Sequence, residues 1–273
     1  MNWALWKKAV ADAWVQLVTS ALVLCLFCWL FVWLMSFLKI GAWGNLLGLV
    51  PDFFRPIMGA PLDQLASPTG QLSFLYIHVI TLLVCVGWAI GRGSDIVAGE
   101  IARGTMEHLL TLPVWRVTVI VAPAVVTMIG SAVLALSVWA GIVLGLATVE
   151  FHGPVAVLPF LSGSVNLFAM TFCLAGVAAF LSAFEHDRWR AIWRAGGFFV
   201  ISMIVKLVAR MWPDGQWLYW FTFLSLFEPQ NLIFAPDDWA MFIRYNLALA
   251  AMGLAAHAAA ALVFWYRDIP VPH

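Results

Sequence analysis

The sequence predicts an all-α integral membrane protein of six transmembrane helices preceded by an N-terminal interfacial helix. Three observations predict it. Of 273 residues, 64% are hydrophobic and only 10% are charged, whereas a soluble domain carries about 25% charge on its water-facing surface. Mean hydropathy is +0.96. Charge-free runs of about 20 residues, enough to cross the hydrocarbon core, recur along the chain, and none alternates as the strands of a membrane β-barrel do. A soluble enzyme and a disordered chain are both excluded. The 14 basic residues are balanced by 14 acidic ones. Nucleic-acid binders usually show a basic excess, so no nucleic-acid partner is expected.

The elements follow in order. Over residues 1–14, a helical wheel puts Trp3, Trp6, Val10 and Trp14 on one face and Lys8 and Asp12 opposite. That pattern predicts a helix lying along the membrane surface, its tryptophans in the acyl boundary and Lys7 and Lys8 against anionic lipid headgroups. Spans are predicted at about 15–38, 72–91, 117–149, 157–183, 195–212 and 245–266, the fifth interrupted by Lys206 and Arg210. The first apolar run is too long for a signal-peptide core and lacks a small-residue cleavage site, so it is expected to stay as an uncleaved span. With the N-terminus inside, the inner segments hold Lys7, Lys8, Arg92, Arg103, Arg116, Arg188, Arg190, Arg194 and Arg267. The outer side holds Lys39, Arg55, Lys206, Arg210 and Arg244. This positive-inside bias places both termini in the cytoplasm and the chain, 1–273, as one multi-pass domain in the cell's inner (plasma) membrane. The longest outer segments are Lys39–Gln71 and Pro213–Ile243. The second contains Trp217–Phe227, an uncharged stretch too short to span, expected to be re-entrant or interfacial with Trp217, Tyr219 and Trp220 at headgroup level.

Few polar groups lie within the spans. All four cysteines do, which argues against a disulfide framework, and Cys25 and Cys28 are read as packing thiols rather than a soft-metal site. His257 falls near the middle of the last span and His78 near the outer end of the second. Each is either hydrogen-bonded within the bundle or a group that touches substrate. Lys206 and Arg210, one turn apart, either snorkel outward or attract an anionic lipid or substrate. His257 and Lys206 are the candidate pathway residues. HExxH and GxSxG are absent and no pair of acids lies within the spans, so no catalytic, cofactor or metal residue is assigned and the chain is not expected to be an enzyme.

Charge concentrates instead in Arg92–Arg116, which holds Arg92, Asp95, Glu100, Arg103, Glu107 and Arg116. Glu100, Arg103 and Glu107 share one helical edge at spacings that favour ion pairs. Gly104 is placed to end one short helix, with Thr105 capping the next and Glu107 in its first turn. Pro113 marks the bend into the third span. Taken alone, these residues describe a solvated, salt-bridged loop.

The pattern Glu100-x-x-x-Gly104-Thr105-x-Glu107-x-Leu109-Leu110-x-x-Pro113 resembles the signature of ABC-2 type transporter permeases. It lies where that family has it, between spans two and three, and the topology is similar over nearly the whole chain. The resemblance implies the membrane-spanning permease subunit of an ATP-driven transporter, an exporter. It implies that 92–116 is a coupling segment docking into a separate ABC ATP-binding subunit, through Glu100, Arg103, Gly104, Thr105, Glu107 and Pro113. A second permease, a like copy or a paralogue, would complete the assembly. The sequence has no GxxxxGK[ST] loop to cradle phosphates, so ATP would be bound by the partner and no cofactor by this chain. The second inner loop, Glu185–Arg194, either touches the same partner or anchors the bundle through its arginines and tryptophans. Two alternatives remain open: an ion-coupled secondary transporter, which is expected to carry buried carboxylates and broken helices, and a permease-like scaffold without transport.

Overall fold

The computed structural model describes residues 3–38, 40–106 and 116–266, and among these it is helical without strands. Among the described residues, six helical runs are long and apolar enough to cross a membrane. They are α1 (Trp3–Ser36), the run Pro68–Ala102 whose main helix is α2 (Val79–Ser94), α3 (Arg116–Thr148), α4 (Pro159–Ser182), α5 (Arg188–Met211) and α6 (Trp239–Tyr266).

No glycine or proline interrupts residues 3–36, and α1 runs unbroken for 34 residues, about 51 Å at 1.5 Å per residue. The expected interfacial helix is therefore not a separate element. Its residues form the first turns of α1, where Leu5, Ala9 and Ala13 are buried while Trp3, Val10 and Trp14 stay exposed. Three of the four wheel-face residues point outward, but Trp6 is half-buried and packs on the core, and the small-residue face docks on the bundle. Helix α5 likewise begins two turns before its apolar run, because Asp187 caps it by accepting the Trp189 N–H at 2.9 Å.

Helix α4 is the centre of the bundle: 72% of its most apolar window is buried, against 17% for α1. In lipid there is little hydrophobic drive between helices, so close backbone approach through small residues carries the packing. On α3, Gly141 and Gly145 form a GxxxG face against α1. A Cβ on Gly141 would sit 2.6 Å from the Cβ of Cys28, and one on Gly145 would sit 2.5 Å from the Cβ of Val32. Between α4 and α6, a Cβ on Gly176 would meet the Gly253 carbonyl at 2.6 Å.

Helix α2 departs from its predicted end at 91. It passes into a π turn, Asp95–Gly99, and then an α turn, Glu100–Ala102, with residues 92–100 buried. The first half of the segment expected to be a solvated loop is thus a continuation of the span. A π turn takes backbone groups out of the regular ladder. The Ser182 hydroxyl of α4 serves them: it donates to the Ser94 carbonyl at 2.8 Å and accepts from the N–H groups of Ala98 at 2.8 Å and Val97 at 3.3 Å.

At the other end of the bundle the connections fold into short helices. Within Trp217–Phe227, Trp217, Trp220 and Phe221 are exposed, whereas Phe223, Leu224 and Phe227 are buried. The second half is held inside by Asn166 of α4, which donates to the Leu226 carbonyl at 3.0 Å and accepts from the Glu228 N–H at 2.9 Å. A short helix, Pro229–Phe234, follows.

Candidate functional site

The charged segment is bound to two distant parts of the chain. Asp95, on the π turn, takes a bidentate hydrogen bond from Arg103 (2.7 and 3.3 Å). Arg188, at the start of α5, is 3.3 Å from the same carboxylate, and Arg92 is 3.8 Å from it. Glu100 accepts from Arg103 at 2.9 Å, from the Thr105 hydroxyl at 2.5 Å and from the Lys8 ammonium of α1. Lys8 also pairs with Asp12 at 3.1 Å, and Arg92 donates to the Asp12 carbonyl at 3.2 Å. One ionic cluster therefore ties the starts of α1 and α5 to residues 92–105.

The helix closes at Gly104, whose φ of +69° lies in the left-handed region that favours glycine. The Gly104 N–H donates to the Ile101 carbonyl at 2.9 Å and the Thr105 N–H donates to the Glu100 carbonyl at 3.1 Å. Those two bonds make a Schellman cap, which satisfies the last carbonyls and turns the chain sharply.

Of the six residues singled out in the sequence, Glu100, Arg103, Gly104 and Thr105 are brought together here. Glu107 and Pro113 lie outside the described residues. The polarity of the corner differs from a simple acidic edge. Glu100 is 6% exposed and faces inward, while the Arg103 and Arg188 side chains are each 42% exposed. The hydrogen bond to Asp95 raises the Arg103 guanidinium above its ordinary, already high pKa, against the opposing effect of its partial burial. What this corner shows to the outside is Ala102, Arg103 and Gly104. The stretch Glu185–Arg194, helical from Arg188 onward, contributes Arg188 to the cluster, pairs Arg194 with Glu185, and leaves Trp189 and Trp193 exposed. Asp95, Lys8, Asp12 and Arg188 were not picked out as site residues. Lys8 and Glu100 are 92 positions apart, a pairing no local spacing announces.

The pathway candidates sit elsewhere. Lys206 does not snorkel outward. It is buried, donates to the Phe227 carbonyl at 2.6 Å and lies 3.1 Å from Glu228. Arg210 holds both Glu228 oxygens at 2.5 Å and donates to the Ile57 carbonyl at 2.8 Å. The segment inserted into the bundle, residues 223–234, delivers Glu228 to both cations, and this carboxylate draws Lys206 inward. Glu228 had no signal of its own, lying just past an uncharged stretch. His257 bonds through Nδ1 to the Gly253 carbonyl at 2.9 Å and stacks on Phe172 with ring centroids 5.0 Å apart. His78 caps α2, its Nδ1 accepting the Ile80 N–H at 3.2 Å. Cys28 packs against Gly141, and no cluster of metal-ligating side chains occurs among the described residues.

Two cavities flank the triad of Lys206, Arg210 and Glu228. A large one of about 1130 Å³ includes Arg210, Glu228, Arg244 and the aromatic rings of 219–223. A smaller one of about 210 Å³ includes Lys206, Arg210, Phe227 and Glu228.

No curated protein matches the sequence. The family model described as ABC-2 family transporter protein matches residues 6–235, from the first turn of α1 to the end of the inserted segment. Six spanning helices and a match over most of the length agree, and the chain belongs to the ABC-2 transporter family as a multi-pass membrane permease subunit of an ABC transporter.

Proposed function

We propose that this permease is moved by a separate ATP-binding subunit that grips the corner at Arg103 and Gly104, and that the complex exports its substrate. The supporting observation is the bracing of that corner. A Schellman cap closes it, and ionic contacts reach from it to α1 and α5, so a push on Gly104 is passed to three spans as a rigid-body displacement. Arg103 supplies a cation for an acidic groove on the partner, giving register as well as attraction. Glu100 acts as an internal brace and Thr105 as its hydrogen-bond partner. In this reading the N-terminus is cytoplasmic, ATP is held only by the partner, and two permease copies face each other across the pathway. Lys206 lines a cavity and stays a pathway residue, while His257 is a packing residue.

The experiment is purification of the full chain from its native host in mild detergent. An ATP-binding subunit should accompany it, and the pair should hydrolyse ATP. Gly104→Trp should release that subunit or uncouple hydrolysis from transport while the helical content stays the same. A chain that purifies alone and transports on an ion gradient without ATP would sink the proposal.

A further inference from the structure

The triad and its larger cavity carry an inference that does not depend on how the permease is driven. Two cations, Lys206 and Arg210, share a single carboxylate, Glu228, and the three side chains are only 10%, 16% and 11% exposed. An excess charge shielded from water is costly unless another partner compensates it. Arg244 adds a further cation to the wall of the same cavity. It is exposed, lies 5.0 Å over the Tyr245 ring, and forms no salt bridge among the described residues. The rest of the wall is mostly apolar, with Phe198, Phe223, Leu226 and Met252.

We propose that this cavity binds an anionic amphiphile, with one phosphate or carboxylate headgroup against Arg210 and Arg244 and an aliphatic tail along Phe198, Phe223 and Met252. The headgroup compensates the excess charge of the triad. The tail covers the apolar wall, which a small inorganic anion would leave bare. At about 1130 Å³ the space is slightly larger than the usual small-molecule site, which runs to about 1,000 Å³, and far exceeds the volume of a phosphate ion. The shared chemistry fits a bilayer phospholipid and a soluble amphiphile alike.

The test uses the full chain in an uncharged maltoside detergent, with dodecyl phosphate, inorganic phosphate and dodecyltrimethylammonium as probes. Thermal stability reports affinity and native mass spectrometry reports stoichiometry. Dodecyl phosphate should bind saturably at one site, and the cationic probe should not bind. Arg244→Gln, which lies outside the buried triad and leaves folding intact, should weaken dodecyl phosphate about tenfold, the scale of one charge-assisted hydrogen bond. Phosphatidylglycerol retained through purification, and lost in Arg244→Gln, makes the natural ligand a membrane lipid. Dodecyl phosphate binding without retained lipid makes it a soluble amphiphile. Unchanged affinity in Arg244→Gln, equal binding of the cationic probe, or inorganic phosphate binding as tightly as dodecyl phosphate would each overturn the site. Binding is read without ATP or its subunit, so failure of the coupling proposal leaves the result interpretable.

Discussion

The two ionic clusters of this permease carry the same imbalance in different surroundings. At the Gly104 corner, Lys8, Arg92, Arg103 and Arg188 face Asp12, Asp95 and Glu100, an excess of one cation. At the opposite end, Lys206 and Arg210 face Glu228, again an excess of one. The first cluster buries its key carboxylates and sends Arg103 and Arg188 toward water, which solvates the surplus charge. The second largely buries all three members, with Arg210 and Glu228 bordering a cavity rather than open water. Equal bookkeeping of charge thus has unequal consequences: a cationic face on one side, and on the other a buried surplus that favours a ligand. The difference also separates roles. A half-exposed cluster suits a surface that is gripped and released, and a closed one suits a wall that recognises.

The comparison breaks most visibly on removal of the shared carboxylates. Glu228→Gln leaves two enclosed cations without a counterion and should cost about 3–5 kcal/mol of stability, the usual loss when one partner of a buried pair is removed. Asp95→Asn should cost less, about 1–3 kcal/mol, because Arg103 and Arg188 reach solvent. Unfolding of the two variants in mixed micelles measures both. Equal losses would show that exposure does not distinguish the two ends.

How much of this was legible in the sequence follows from the range of each interaction. The spans were legible because a charge-free run of 20 residues is a local property. The Gly104 turn was legible for the same reason, since glycine before a threonine is itself a stop signal. The burial of residues 92–100 was not. Arg92 and Asp95 look like loop residues until Ser182, more than eighty positions later, satisfies the π turn beside them. The sequence leaves the direction of Lys206 open because its fate depends on Glu228, which reaches it only when Asn166 holds the inserted segment. Long-range polar partners decide whether a cation in a span faces water or protein.

Two changes sharpen the comparison by measuring what holds the Gly104 corner besides charge. Ser182→Ala removes a fully buried hydroxyl that serves three backbone groups and should cost about 1–3 kcal/mol. Amide exchange at Ala98 should accelerate with it; unchanged exchange there would mean that the π turn does not need the hydroxyl. Gly104→Ala should cost about 1–2 kcal/mol, the steric penalty of a side chain in the left-handed region. Among the described residues nothing lies within 4 Å of the added Cβ, so that cost is conformational, and Gly104→Asn should recover part of it. An alanine variant as stable as the parent would show that the chain reverses here by another conformation.

The smallest effect tests the comparison most directly. Double-mutant cycles give the coupling of one pair free of other losses. For Lys8 with Glu100, a pair whose lysine reaches water, the coupling should be about 0.2–1 kcal/mol. It should shrink as salt is raised to about 1 M, where the screening length falls to about 3 Å. For Lys206 with Glu228 the coupling should change less over the same range, because both side chains are largely covered by protein, 10% and 11% exposed. Lys8→Met with Glu100→Gln, and Lys206→Met with Glu228→Gln, supply the two cycles. Parallel salt dependence would mean that both clusters are open to solvent, and the closed end would lose the feature that marks it as a recognition site. Divergence would establish that water alone distinguishes two otherwise equal imbalances.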